Sequence, residues 1–379
     1  MDAGFEHYIF SGGRRLRCGY TTGTCAALAA AGAARLLLTG IPPASVSLET
    51  PKGLTVEVPL EACALEEGRA SCAVRKDGGD DVDATAGLRI FACVERIEAP
   101  GVSIEGGEGV GRVTRPGLDQ PVGEAAINCV PRQMIRQAVL AVCREAGYSG
   151  GLRVVVSVPG GAAAAERTFN GPLGIVGGIS ILGTSGIVEP MSLRALADTV
   201  VLEIRQAAAQ GSRHVILTPG NYGLEFLRTQ GLDGRGIPVI KCSNFIGEAL
   251  DSCGGESVES VLLAGHIGKM CKLAGGIMNT HSRYADCRTE LFCAHAAVCG
   301  ASGSVCRELM DAASADGCIA VLDRAGLREA VLADMLDAIQ RHLTRRAAGA
   351  YQVGAVVFSN AYGPLGQTEA VEKIMEGWK

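Results

Sequence analysis

Apolar and polar positions follow two different rhythms on either side of residue 190. Before it, short strand-like runs fall at 46–49, 54–58, 71–74, 90–97, 102–105 and 153–158. Pro51-Lys-Gly53 and Lys76-Asp-Gly-Gly79 punctuate these runs as turns. Residues 18–38 open as Cys-Gly-Tyr-Thr-Thr-Gly-Thr and pass into dense alanine, which predicts a loop and then a closely packed helix with Thr24 as N-cap. Pro131 marks the start of a second helix reaching Glu145, and a glycine-rich stretch at 171–188 ends this half. Strands outnumber helices, so residues 1–190 are predicted to form an α+β domain.

After residue 190 the runs lengthen and alternate. Helices are predicted at 192–210, 221–229 and 245–253, and another begins near Gly268. Between them lie apolar strands at 214–218, 237–241 and 258–264. Apolar runs of this length, alternating with helices, indicate an α/β domain with a parallel sheet over 191–379. Several helical stretches follow between 286 and 346, and a last strand is predicted at 355–359. No repeat of 20 to 50 residues is visible.

Composition narrows the class. The 379 residues carry 35 basic and 40 acidic side chains, a net charge of -5 that argues against nucleic acid as the main partner. Only 8 Phe, 7 Tyr and 1 Trp are available, too few for base-stacking platforms. The 52 glycines are nearly twice the average share of roughly 7% and accompany only 14 prolines, as expected of many tight turns. The first residues, Met1 to Glu6, lack a basic stretch followed by an apolar core. The longest apolar stretch, 25–38, is broken by Arg35 and too short to span a bilayer. A cytoplasmic enzyme or small-molecule binder is expected, with no membrane partner; oligomeric state is not legible.

Fifteen cysteines are scattered from Cys18 to Cys318 without any Cys-x-x-Cys. In a chain this large they read as free thiols in a reducing compartment. Cys287, Cys293, Cys299 and Cys306 cannot converge from one helix, because residues six apart diverge by about 240°. His295 and Cys299 would share a face, but two ligands fall short of the four a structural zinc needs. No resident metal is expected.

The informative places are the carboxyl ends of the three strands in the second half. They read Thr218-Pro-Gly-Asn-Tyr-Gly223, Lys241-Cys-Ser-Asn244 and Ala264-Gly-His-Ile-Gly-Lys269. In an open parallel sheet, ligands sit beyond those ends, and small residues there let the backbone approach them. Familiar phosphate signatures are missing. Gly265-His-Ile-Gly268-Lys269 has two residues between its glycines where a P-loop has four, and no Gly-x-Gly-x-x-Gly occurs. Gly183-Thr-Ser-Gly186 is not a hydrolase nucleophile elbow, and no His-Glu-x-x-His is present.

Longer strings are more specific. They are Gly19-Tyr-Thr-Thr-Gly-Thr-Cys-Ala-Ala27, Gly123-Glu-Ala-Ala-Ile-Asn128 with Pro131-Arg-Gln-Met-Ile135, and Gly174-Ile-Val-Gly-Gly-Ile-Ser-Ile-Leu-Gly-Thr-Ser-Gly-Ile-Val188. The strand ends at 218–223 and 264–269, the latter continuing to Asn279-Thr-His-Ser-Arg-Tyr-Ala-Asp286, complete the set. In this order, over about residues 17–290, they closely resemble the CbiD family of cobalt-precorrin-5B C-1-methyltransferases. Ser359-Asn-Ala-Tyr-Gly363 is a weaker echo. Two positions depart from the family pattern: Cys129 stands where proline is expected, and Cys287 where a small residue such as alanine is expected.

The resemblance implies methyl transfer from S-adenosylmethionine to C-1 of a cobalt-bearing, ring-contracted tetrapyrrole, giving cobalt-precorrin-6A in anaerobic cobalamin biosynthesis. Cobalt then enters only with the substrate. It also implies two domains, the second Rossmann-like. S-adenosylmethionine is expected against Gly220, Asn221, Gly223, Asn244, Gly265 and Gly268, with Ser243 or Asn244 meeting the ribose because no acidic residue ends the second strand. Arg132, Lys269 and Arg283 are expected to bind the substrate's carboxylates. Thr21, Thr22 and Thr24 either bind a carboxylate at a helix N-terminus or, the favoured reading, simply cap the helix. His266 is expected to accept a proton or orient the substrate, and His281 is a similar case. The competing class is a tetrapyrrole or nucleotide carrier that binds without catalysis.

Overall fold

The structure, a computed structural model, describes residues 5–11, 13–232 and 236–378. The first four residues, part of the reading that no leader is present, lie outside the described set. The chain forms two compact units, 1–192 and 193–379.

In the first unit the alanine-rich segment becomes the helix Thr22–Thr39, ended by Gly40 in the left-handed conformation. Its N-cap is Thr21, not Thr24: the Thr21 side chain accepts from the Thr24 amide, so the helix starts one turn earlier than expected. By length and composition this helix could cross a membrane, yet 78% of it is buried within the protein. Small side chains allow that. A Cβ on Gly32 would stand 2.4 Å from Leu60 Cδ1, and one on Gly23 2.7 Å from Pro131 Cγ. The helix packs on the second helix, Cys129–Glu145, and on a five-stranded sheet. Sheet order is Glu61–Glu66, Arg69–Arg75, Arg89–Ile97, Gly151–Ser157, Val102–Gly106, antiparallel except for the last, parallel pair. Alternation places Ile90, Ala92 and Val94, and likewise Leu152, Val154 and Val156, in the core.

The second unit is built around the strands Val239–Lys241, His214–Thr218, Ser260–His266, Gln352–Ser359 and Gly363–Gln367, in that spatial order. The first three pairings are parallel. The last is antiparallel, so the sheet is mixed where a parallel one was expected. Ser260 to Gly265 are buried throughout, as a central strand covered on both faces must be. Helix Leu193–Ala209 packs on Ile246–Gly255, and Arg328–Ala347 on the strand Gln352–Ser359. The helix expected at Gly268 is short: Ile267–Met270 passes into a 3-10 turn, Cys271–Gly275.

All fifteen cysteines are unpaired, and eight are buried. Burial pushes the Cys25, Cys242, Cys253 and Cys271 thiols up to about 12, which leaves them protonated at neutral pH. Among the described residues, no group of three or more His, Cys, Asp or Glu is placed to hold a metal. His295 Nδ1 meets Asp334 Oδ2 at 2.6 Å, and Cys299 is merely the residue that ends its helix.

Candidate functional site

Parallel pairing aligns Thr218 with Lys241 and His266 with Phe358, so the carboxyl ends of four strands share one edge. Thr218 is fully buried and donates to the Gly220 carbonyl at 3.1 Å, which shapes the first turn. Gly220 is extended, with nothing within 4 Å of the position a Cβ would take. The helix Asn221–Thr229 starts there, and Asn221 Oδ1 accepts from Lys241 Nζ. Gly223 and Gly265 have another reason to be glycine. A Cβ on Gly223 would meet Thr218 Oγ1 at 1.7 Å, and one on Gly265 would meet Met270 Sδ at 2.6 Å. These two glycines serve the protein's own packing.

Lys269 ties the turns together. Its ammonium donates to the carbonyl of Pro219 and, at 3.3 Å, to that of Ser243. Desolvation holds its pKa below the ordinary lysine value. Sequence reading made Lys269 a donor to substrate carboxylates; the structure instead engages it on two backbone oxygens. Asn244 is similarly committed, accepting from Thr280 Oγ1 at 3.1 Å while its carbonyl accepts the Thr280 amide at 3.0 Å. The loop that follows is clasped by Lys272, only 2% exposed, whose ammonium reaches the carbonyls of Thr280 at 3.1 Å and Ala285 at 2.8 Å. Sequence reading passed over Lys272. On the same loop, His281 Nδ1 accepts the Arg283 amide at 3.0 Å, and Arg283 itself is exposed.

His266 caps its short helix, its Nδ1 accepting the Gly268 amide at 3.1 Å. The neutral ring therefore carries its proton on Nε2 and has no free lone pair, so it fits orientation better than proton acceptance. Nε2 faces Asp316 Oδ2 at 3.9 Å, and Asp316 Oδ1 accepts from Ser359 Oγ at 2.8 Å. Three such groups suggest a hydrolase triad, but the hydroxyl donates to the carboxylate instead of to the imidazole. It also accepts the Ala361 amide at 3.0 Å. Ser359 is thus not an activated nucleophile. Asp316 was not legible as a site residue, whereas Ser359 opens the weakest of the resembling strings.

A cavity of about 640 Å³ lies elsewhere in this unit, lined by Asp323, Arg328, Glu329, Leu332, Leu336 and Leu365 among others. None of its lining residues comes from the strand-end turns, so size alone does not mark the site.

The remaining sequence-predicted ligands belong to the first unit, where each is engaged in bonds within the protein. Thr21 caps the helix, Thr24 Oγ1 donates to the Gly186 carbonyl at 2.7 Å, and Thr22 Oγ1 accepts the Leu182 amide at 2.9 Å. The Gly23 amide donates to the Leu182 carbonyl at 3.0 Å and the Thr24 amide to Thr21 Oγ1 at 3.2 Å, so both are engaged within the protein. The Thr22 and Thr24 hydroxyls bind the glycine-rich loop to the helix. Arg132 donates to the carbonyls of Ile127 at 2.8 Å and Ile104 at 2.9 Å, and reaches that of Ala125 at 3.5 Å. It is a structural staple, because an arginine fork suits clustered carbonyls as well as a ligand carboxylate. Arg132→Ala should therefore cost about 3 kcal/mol of unfolding free energy, read as a lower urea midpoint. An unchanged midpoint would return Arg132 to the substrate.

The CbiD family model matches residues 10–190, and the model described as CbiD, C-terminal domain matches 279–369. A protein of Ruminiclostridium cellulolyticum named cobalt-precorrin-5B C(1)-methyltransferase is 47% identical over 94% of this chain and 92% of its own. One of the same name from Alkaliphilus metalliredigens is 40% identical over 98% and 97%. A crystal structure described as cobalamin biosynthesis protein (cbiD) from Archaeoglobus fulgidus is 32% identical, covers 73% of this chain and 86% of its own, and has a TM-score of 0.40. Identity of this order, sustained along nearly the whole chain, makes the protein a member of the CbiD family.

Proposed function

We propose that this protein transfers a methyl group from S-adenosylmethionine to C-1 of cobalt-precorrin-5B, giving cobalt-precorrin-6A in anaerobic cobalamin biosynthesis. The observation that carries the reading is the shared name of relatives 47% and 40% identical over nearly the full chain. In this reading 1–190 is an α+β domain and 191–379 a Rossmann-like one, in a reducing cytoplasm. The donor lies against the strand ends, with the Gly220 and Asn221 backbone in contact and Gly223, Gly265, Gly268 and Asn244 shaping the turns. Two features suit it: open space at Gly220, and a helix N-terminus directly behind for the donor's carboxylate.

The chemistry asks little of side chains. A sulfonium methyl already sits on a good leaving group, so aligning the ring carbon behind it and excluding water supplies much of the rate. Lys269 fixes the turns, and His266 orients a bound group through Nε2–H. Arg283, exposed and in one of the resembling strings, is the remaining donor for a substrate carboxylate. Arg283→Ala should weaken tetrapyrrole binding about ten- to a hundredfold while leaving S-adenosylhomocysteine affinity unchanged. Titration of both ligands checks this, and equal tetrapyrrole affinity in variant and wild type would remove Arg283 from the site.

The deciding experiment incubates the protein with S-adenosylmethionine and cobalt-precorrin-5B. Stoichiometric S-adenosylhomocysteine and a C-1-methylated product support the enzyme. Tetrapyrrole binding without S-adenosylhomocysteine release would make it a carrier.

A further inference from the structure

The gap between His266 and Asp316 has a chemical signature. On one side is an Nε2–H donor, fixed because Nδ1 is occupied by the Gly268 amide. On the other is a carboxylate oxygen, fixed because its twin holds Ser359 Oγ. They are 3.9 Å apart, too far for a direct hydrogen bond. One oxygen about 2.8 Å from each would see them at roughly a right angle, an arrangement in which a hydroxyl accepts from the imidazole and donates to the carboxylate. A carboxylate could not do so, since Asp316 would repel it, so the acidic arms of a tetrapyrrole do not fit. The two side chains are 25% and 35% exposed, which leaves the gap open to solvent. Beside it stands the exposed ring of Tyr222, 6.3 Å from the imidazole, offering a face to a flat base.

We propose that a ribose hydroxyl of the methyl donor sits between His266 Nε2 and Asp316 Oδ2. This rests on the reading that the donor is a nucleoside bound at these strand ends. It resolves one difficulty there: the second strand ends in Lys241 and offers no acidic residue for the ribose. The acceptor comes instead from the first turn of the helix Ala315–Ala325, delivered to the third and fourth strands. Ser243 and Asn244 are then released from that duty, as befits a Ser243 at φ 54° and an Asn244 bound to Thr280.

The test is calorimetry with S-adenosylhomocysteine and its 2′-deoxy and 3′-deoxy analogues on wild type and Asp316→Asn, which keeps an oxygen for Ser359. Wild type should bind at least one deoxy analogue about ten- to a hundredfold more weakly than the parent. Asp316→Asn should lose a similar factor on the parent and little more on that analogue. Additive losses would overturn the contact. So would equal wild-type affinity for all three compounds, an outcome that needs no variant. Failure of wild type to bind S-adenosylhomocysteine at all would instead overturn the donor reading and this contact with it.

Discussion

Asp83→Asn is expected to lower the unfolding free energy by about 3–5 kcal/mol. Lys76 is the reason. Its side chain is 1% exposed, and its ammonium meets Asp83 Oδ2 at 2.7 Å. The other carboxylate oxygen accepts the Thr85 amide at 2.7 Å and the Thr85 hydroxyl at 2.6 Å. Removing the negative charge leaves a buried ammonium uncompensated, which costs far more than losing a surface pair. Lys76→Met in the same chain should recover part of the loss by removing that charge. Burial alone would raise the pKa of Asp83, but the Lys76 charge and the hydrogen bonds from Lys76 and Thr85 hold it below the ordinary aspartate value. A depressed folded pKa contributes stability above the unfolded value, about 3.9. That contribution is lost as pH falls through the folded one. The wild type should therefore lose more stability below about pH 4 than Asp83→Asn does. Urea midpoints across pH 3–7 check both statements, and an unchanged midpoint at pH 7 would mean the pair is not formed.

Legibility in the sequence followed from how each element is held. Strand His214–Thr218 and helix Asn221–Thr229 were readable to the residue, since an apolar run stops at Pro219-Gly220 and an amphipathic one begins. The edge strand Gly363–Gln367 was not. It contains two glycines and a proline, and pairing with Gln352–Ser359 holds it where propensity would not. Glu61–Glu66 was missed for a similar reason: it is an edge strand, largely exposed, without an apolar face to announce it. The hairpin Tyr8–Ser11 with Arg14–Arg17 is disguised by three arginines in four residues.

The site divides along the same line. The glycine turns were visible because turn chemistry is local. Donors were harder to assign, because residue type does not tell a ligand carboxylate from a buried carbonyl; Arg132 and Lys269 were cast as the first and turn out to serve the second. Asp316 reaches His266 from 50 positions away in sequence, by way of a helix whose placement only the fold decides.

The strand-end glycines give the sharpest contrast. If Gly223 and Gly265 served only close approach of the donor, bulky residues there would block it and leave the protein folded. A Cβ on Gly223 would stand 1.7 Å from Thr218 Oγ1 and 3.1 Å from the Ala264 carbonyl, with Gly265 similarly hemmed in by Met270 and Pro219. Gly223→Val should therefore destabilise by about 3 kcal/mol or more, and lost binding there would say nothing about the donor. Gly220 separates the two effects. Its φ of -164° suits any residue, no atom lies within 4 Å of a Cβ, and it is the N-cap of Asn221–Thr229. Threonine is branched enough to fill the space beside the turn and is itself a good N-cap. Gly220→Thr should keep its melting temperature yet bind S-adenosylhomocysteine at least a hundredfold more weakly, a loss of about 2.7 kcal/mol. If it binds at wild-type affinity, the donor does not approach the chain at this turn, and the crevice assignment falls even though family membership stands.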